Sequence, residues 1–490
     1  MDYLDPKKQT RQSALLFTGY FLIGLAILIG TFILVYQAYG FGVSRDGQVV
    51  QSGLVFFSSK PNPANIYLNG KLYKDQTNTR LVLPENIYSV QIKRDGYRDW
   101  KREIGVEGGS VRHYDYPFLF PTTLETKNIY PLSSAPNIST QSPDRRWLVL
   151  QLPGPGLKFN IYDLKNIKTP PVEITVPSTA YTKTLTTDSW QFSEWADDNN
   201  HFVLIHQYDG KKEFVLVNRK EPTKSLNISK TLNHNFSELT LADKKYDQYF
   251  LYDNANLSLK RGTLNSQELK DILAKAYAYK TYGNDSFLLV TDTPKKTGKV
   301  QYVLKIKDKE YVLKEAPTDT GYLLDLTEYS GKLYVVIGAV NGDKVYVYKD
   351  PIASFGGTDS KPLAPIQVFH ISKPNYVKFS SSAQFVLAQN GNQFAIYDAE
   401  NDKGFKYNSK QPIDAPQQHA NWMDGNRLMY VSGGKVFVFD YDFNNRQFLN
   451  AASSSYEPFF SSDYKFLYTI NPVNSQLYLT QTSLLTKADQ

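Results

Sequence analysis

The sequence predicts a mainly β protein in three parts: an N-terminal transmembrane helix, a small β-sandwich, and a β-propeller of seven or eight blades. An uncharged apolar run of 23 residues, Ala14 to Tyr36, lies near the start of the chain. Its 36 Tyr and 28 Phe favour strands. From about residue 123 a strand-turn-strand pattern recurs, and recurrence at a fixed spacing decides a fold before single residues do.

Composition narrows the function. With 490 residues, 41% of them apolar, the chain can bury a full core. The absence of cysteine excludes disulfide frameworks, thiolate metal sites and cysteine nucleophiles, and is compatible with an exported domain large enough to fold without crosslinks. Three Met and six His offer little for metal chemistry, so neither a cofactor nor a metal site is predicted. A net charge of +7, spread along the chain, does not make the concentrated basic face of a nucleic-acid binder.

Residues 14–37 read as the membrane span, since the 23 of the uncharged run at ~1.5 Å each already cover the ~30 Å of a bilayer core. Lys7, Lys8 and Arg11 precede the span and only Arg45 closely follows it. Positive-inside counting therefore keeps the tail, residues 1–13, in the cytoplasm and exports the rest. Tyr20, Tyr36 and Tyr39 suit an aromatic belt. Small residues at Ala38-Tyr39-Gly40 leave a cleaved signal peptide as the alternative, although its apolar core normally runs only ~7–15 residues.

Residues 52–121 read as a β-sandwich of four or five short strands. Gly53–Ser59 is a strand, and Asn69-Gly70 after Ile66-Tyr67-Leu68 is a hairpin turn. Tyr88, Val90 and Ile92 alternate to form one strand face, and Asp95-Gly96 closes it before Tyr97. These residues resemble the PEGA domain family: Pro61-Asn62-Pro63-Ala64 stands for the naming tetrapeptide, Tyr88-Ser89-Val90 for the central strand and Gly96-Tyr97 for the last turn. The resemblance implies an extracytoplasmic structural or binding module and brings no catalytic residues. Lys93, Arg94, Arg98, Lys101 and Arg102 cluster near that turn. They form either a contact for lipid headgroups or wall polymers, or a solvated strand face balanced by Asp95 and Asp99.

Residues 123–490 read as the propeller. Apolar strands begin at Trp147, Phe202, Tyr249, Phe287, Leu333, Phe385, Arg427 and Phe466, each followed by a second strand such as Phe159–Asp163 or Phe394–Asp398. The spacing approaches the ~40–50 residues of a blade. Eight blades follow, or seven if the weak 249–264 unit is an insertion. Ser142-Pro143-Asp144, Phe379-Ser380-Ser381 and Phe460-Ser461-Ser462-Asp463 resemble the turns of TolB-like propellers. Leu269, Ile272, Leu273 and Ala276 fall at helical spacing, with Asn265 as N-cap and Glu268 at N3, which predicts one rim helix.

No motif for a catalytic serine, a phosphate loop or a zinc protease is present. His201 and His206 are five apart beside a strand, on opposite faces, which disfavours a shared metal. Asp440-Tyr441-Asp442-Phe443-Asn444 begins like a calcium loop, but Asn445 and Ala451 replace the Gly and the bidentate Glu such a loop needs. Trp190, Trp195 and Trp422 precede strands and are the ligand-binding candidates, with packing between blades as the alternative.

The expected protein is thus a single-pass, outward-facing, non-catalytic binding or scaffold protein of the bacterial envelope. Its expected partners are membrane lipid through the helix, and an envelope protein or wall polysaccharide through the propeller. The alternatives are a carbohydrate-active enzyme or a glycan-binding adhesin. The enzyme reading requires polar residues converging on the central channel from several blades.

Overall fold

The computed structural model describes residues 6–38, 40–43, 49–184, 188–294, 298–356, 363–410, 412–414 and 419–489. Tyr39 and Arg45, used above for the membrane reading, lie outside them. The chain divides into two compact units, residues 1–123 with 485–489, and residues 124–484 with 490.

The first unit begins with helix α1 (Pro6–Ala38), longer at both ends than the 14–37 span read from the sequence. No part of its apolar window is buried, and Phe17, Tyr20, Phe32 and Leu34 all face outward. A helix apolar on all sides meets its solvent requirement in lipid. The rest of the unit is two four-stranded sheets. In one, Val49–Phe57 pairs antiparallel with Phe41–Val43 and Thr79–Pro84, and parallel with Val111–Tyr114. In the other the order is Lys71–Gln76, Asn65–Leu68, Asn86–Lys93, Trp100–Val106. Val55, Phe57, Ile66, Leu81, Val90, Ile92 and Trp100 fill the space between the sheets. Asn69 and Gly70 both take positive φ, 50° and 79°, as the predicted two-residue turn demands.

Among the described residues the second unit forms eight four-stranded antiparallel sheets, the blades, so the weak 249–264 unit is a complete blade. Their first strands are Ser139–Gln141, Asp188–Trp195, Glu238–Leu241, Ala276–Tyr282, Tyr322–Tyr329, Tyr376–Phe379, Asn421–Trp422 and Phe459–Phe460, for blades 1 to 8. Blade 8 takes its outer strand, Thr126–Leu132, from the start of the unit, and so joins both ends of the ring. Apolar side chains pack blade against blade. Phe159 and Phe202 meet between blades 1 and 2, Leu216 and Leu251 between 2 and 3, Leu259 and Leu289 between 3 and 4, and Val290 and Ile337 between 4 and 5. Val336 with Val386, and Phe385 with Tyr441, continue the series, and Leu150 with Ile470 packs blade 1 on blade 8.

The three Ser turns share one design. The hydroxyls of Ser142, Ser380 and Ser461 accept from the amides of Trp147, Phe385 and Phe466 at 2.9, 3.2 and 3.0 Å. Three residues after each serine, Arg145, Ala383 and Tyr464 take φ near 60°. A side-chain acceptor plus one left-handed residue turns the first strand into the second.

The predicted helix after residue 265 is absent. Ser266–Leu273 is the outer strand of blade 3, paired with Ser258–Thr263, and Ala276 opens the first strand of blade 4. Two register shifts in that ladder break the period of two. Leu269 then packs toward blade 2, while Ile272 and Leu273 pack toward blade 4, which imitates helical spacing.

Candidate ligand site in the propeller channel

The first strand of each blade has only one ladder partner, and first strands of neighbouring blades pack on each other, as between blades 4, 5 and 6. They therefore line the centre of the ring. Their polar side chains link blade to blade. Glu194 of blade 2 accepts from the Leu241 amide and pairs with Lys244 of blade 3. Thr240 and the Tyr279 hydroxyl meet at 3.2 Å, and Lys280 of blade 4 lies 3.3 Å from Asp325 of blade 5. The other Asp325 oxygen accepts from the Phe379 amide of blade 6 at 2.9 Å. Tyr376 of blade 6 stacks on His419 before blade 7, with centroids 3.7 Å apart, and Asn421 donates to Glu457 before blade 8 at 3.0 Å.

At the centre stands Lys378. Its ammonium feels the charges of Asp325, Lys280, Glu457 and Lys244, which come from blades 5, 4, 8 and 3. Among the described residues it makes no hydrogen bond or ion pair of its own, while its side chain stays open to solvent. The surrounding blades still desolvate it in part, which lowers the Lys378 pKa although the side chain keeps solvent contact. Burial raises the Glu457 carboxyl against the pull of Asn421 and Lys378, and lowers His419, with Lys378 adding to the effect. A carboxyl, an amine and an imidazole whose ionisation burial disfavours, gathered in one cleft, make it the candidate functional site.

The sequence candidates fall elsewhere or at its border. Trp422 lies beside the channel, its indole N–H donating to the Lys378 carbonyl at 3.4 Å. Trp195 is 6% exposed and donates to Thr140 at 3.0 Å, so its face packs between blades 1 and 2 instead of presenting itself to a ligand. Trp190 stacks on His206 at 4.0 Å. His201 pairs with Asp198, whereas His206 contacts Glu213 and Asp188. Asp440 is buried beside Arg427 and closes a turn with Asn445.

The basic cluster of the first unit is largely engaged internally. Asp99 lies 3.6 Å from Lys93 and 3.4 Å from Lys101, Arg94 pairs with Asp489, and Arg102 donates to the Tyr116 hydroxyl. Arg98 is half-buried. Lys101 remains the exposed member.

The channel set was missed in sequence because Lys378, His419 and Glu457 sit on or beside strands of two to four residues, where polar side chains read as turns. The available signal was their position, shortly before each strong apolar strand.

Residues 52–118 match the PEGA domain model, which accounts for the first unit's sandwich. A search of curated proteins finds no match. Among solved structures, the chain is similar to oligogalacturonate lyase from Vibrio parahaemolyticus, at 10% identity over 75% of this chain and 98% of that one, with a TM-score of 0.37. Kluyveromyces lactis Hsv2p shares 9% identity over 66% and 100%, with a TM-score of 0.40. The Cps50 β-propeller domain of Myceliophteria thermophila shares 9% over 74% and 100%, with a TM-score of 0.35.

Proposed function

We propose that the chain is a membrane-anchored, extracytoplasmic binding protein of the cell envelope, whose propeller channel receives a polar ligand. Polar side chains from blades 2 to 8 meeting in one channel, with a solvent-open Lys378 among them, is the observation that supports it. Ring-shaped repeats bring side chains from many blades to one axis without catalytic machinery on any single blade. The apolar helix and the PEGA sandwich support the location.

The test is retention of the full chain, in nanodiscs, on isolated cell wall. Lys280→Trp, which narrows the channel and takes the ammonium from Asp325, is expected to abolish retention while circular dichroism still shows the parent's strand content. Equal retention of both proteins, or of neither, would overturn the reading. Location is tested on the cysteine-free chain with single cysteines at exposed Ser134 and Ser13: an impermeant maleimide on intact cells should label only the first.

A second reading, a carbohydrate-active enzyme, is favoured by the meeting of a carboxyl, Glu457, and an imidazole, His419, beside Lys378 in one channel, groups of the kind that donate and accept protons. New chain ends appearing when wall polysaccharide is incubated with the protein would select it over binding alone.

A further inference from the structure

Resting on the channel as the ligand site, we infer that its blade 6 to 8 quadrant recognises a hydroxylated carboxylate, the chemistry of an acidic sugar unit. The inventory of unsatisfied groups there is specific. Lys378 offers an ammonium with no partner among the described residues, open to solvent, and an ammonium in a protein-lined channel binds anions. Of the carboxyls whose charge it feels, Asp325 is committed to Lys280 and to the Phe379 amide, and Glu457 accepts from Asn421 and makes no ion pair with Lys378 among the described residues.

The neighbours of Lys378 are hydrogen-bonding groups suited to hydroxyls. Glu457 uses Oε1 to accept from Asn421, and its Oε2 has no hydrogen-bond donor among the described residues. The His419 ring places Nδ1 3.3 Å from the Ala420 carbonyl. With Nδ1–H directed there, the neutral ring keeps Nε2 as an acceptor. Tyr376 stacks flat on that ring, an aromatic pair beside these polar groups. One cation with an acceptor nitrogen, a carboxyl and an aromatic face matches a ligand carrying one carboxylate and several hydroxyls. A neutral sugar leaves Lys378 unpaired, and an amino acid sets an ammonium against the Lys378 ammonium.

The experiment is calorimetric titration of the full chain in nanodiscs with D-glucuronate, D-glucose, glycine and inorganic phosphate as separate probes. Glucuronate is expected to bind at least about tenfold more tightly than the other three, the order of a charge-assisted contact. Lys378→Met should remove that preference, Lys378→Arg should retain part of it, and both should melt as the parent does. Glucose, glycine or phosphate binding as tightly as glucuronate, or Lys378→Met retaining the preference, would overturn the inference. Wall retention that persists, remains sensitive to Lys280→Trp and is not displaced by glucuronate would overturn this inference while leaving the channel reading intact.

Discussion

His206 Nδ1 lies 2.9 Å from Glu213 Oε1, and both side chains are shut away from solvent. The imidazole's other nitrogen is 3.0 Å from Asp188, and Trp190 stacks on the ring at 4.0 Å. Glu213 accepts further from the Thr182 amide and hydroxyl and from Asn227, at 2.6, 2.7 and 2.8 Å. Strands 188–195, 201–208 and 211–218 of blade 2 are thereby tied together at the end away from their Asp198 turn.

Burial alone would raise the Glu213 pKa, but the bonds from His206, Thr182 and Asn227 outweigh it and hold the carboxyl down at about 2. Because the folded pKa lies below the ordinary 4.5, the carboxylate stabilises the fold fully above that value and loses its contribution as pH falls toward 2. Urea unfolding followed by tryptophan emission should show a parent minus Glu213→Gln difference that shrinks across this window. Glu213→Ala at pH 7 should cost ~1–3 kcal/mol, because it leaves His206 Nδ1, the Thr182 amide and Asn227 without the carboxylate they bond. A difference that stays constant from pH 7 to pH 3 would refute the assignment.

Closure of the ring leads to a second prediction. Leu477 to Thr482 pair with Thr126 to Leu132, so the eighth sheet is completed by residues more than 340 positions earlier. A chain starting after Leu132 leaves strand 476–483 with an open edge and exposes the face that packs on blade 1. It should elute as aggregate on size exclusion, whereas a chain starting at Val49 should elute as a monodisperse species and remain soluble without detergent. Equal behaviour of the two would show that the eighth blade does not need its borrowed strand.

What could be read from the sequence follows from burial. The two middle strands of a blade are covered on both faces, so Phe202-Val203-Leu204 and Val215-Leu216-Val217 are continuous apolar runs that announce themselves. The first strands carry the channel's polar groups and shrink to two residues at Asn421–Trp422, and the outer strand 266–273 loses its alternation at two register shifts. The repeat, and hence the fold class, was legible; the channel constellation was not, because its members meet only across blades. Trp422 was singled out for its position before a strand, and that position is what places it next to Lys378.

Asp325 allows the blade-to-blade linkage to be tested apart from ligand binding. It is 8% exposed and joins Lys280 of blade 4 to the Phe379 amide of blade 6. Asp325→Ala leaves that amide without its acceptor and should cost ~1–3 kcal/mol. Hydrogen exchange at Phe379 should rise in the variant while exchange at the Trp147 amide, on a turn three blades away, stays as in the parent. Unchanged protection at Phe379 would mean that the ladder alone holds this strand.

Residues 485–489 belong with the first unit, which the sequence did not foretell. Asp489 accepts from the Tyr97 hydroxyl at 2.7 Å and pairs with Arg94, and the Thr486 amide donates to the same hydroxyl at 2.9 Å. With Pro63, Asn65 and Gln76 these residues border a cavity of about 320 Å³. Desolvation raises the Asp489 pKa, yet Tyr97, Thr486 and Arg94 together bring it below 3.8, so the clasp is intact at neutral pH and weakens only under acid. Tyr97→Phe removes the shared hydroxyl and leaves the ring packed, so the sandwich core survives while the tail loses its anchor. Protease cleavage within residues 485–489 should then accelerate in Tyr97→Phe and in Asp489→Ala, and the double variant should be no faster than the more sensitive single, since both break one cluster. Additive acceleration would show that Asp489 is held through Arg94 independently of Tyr97.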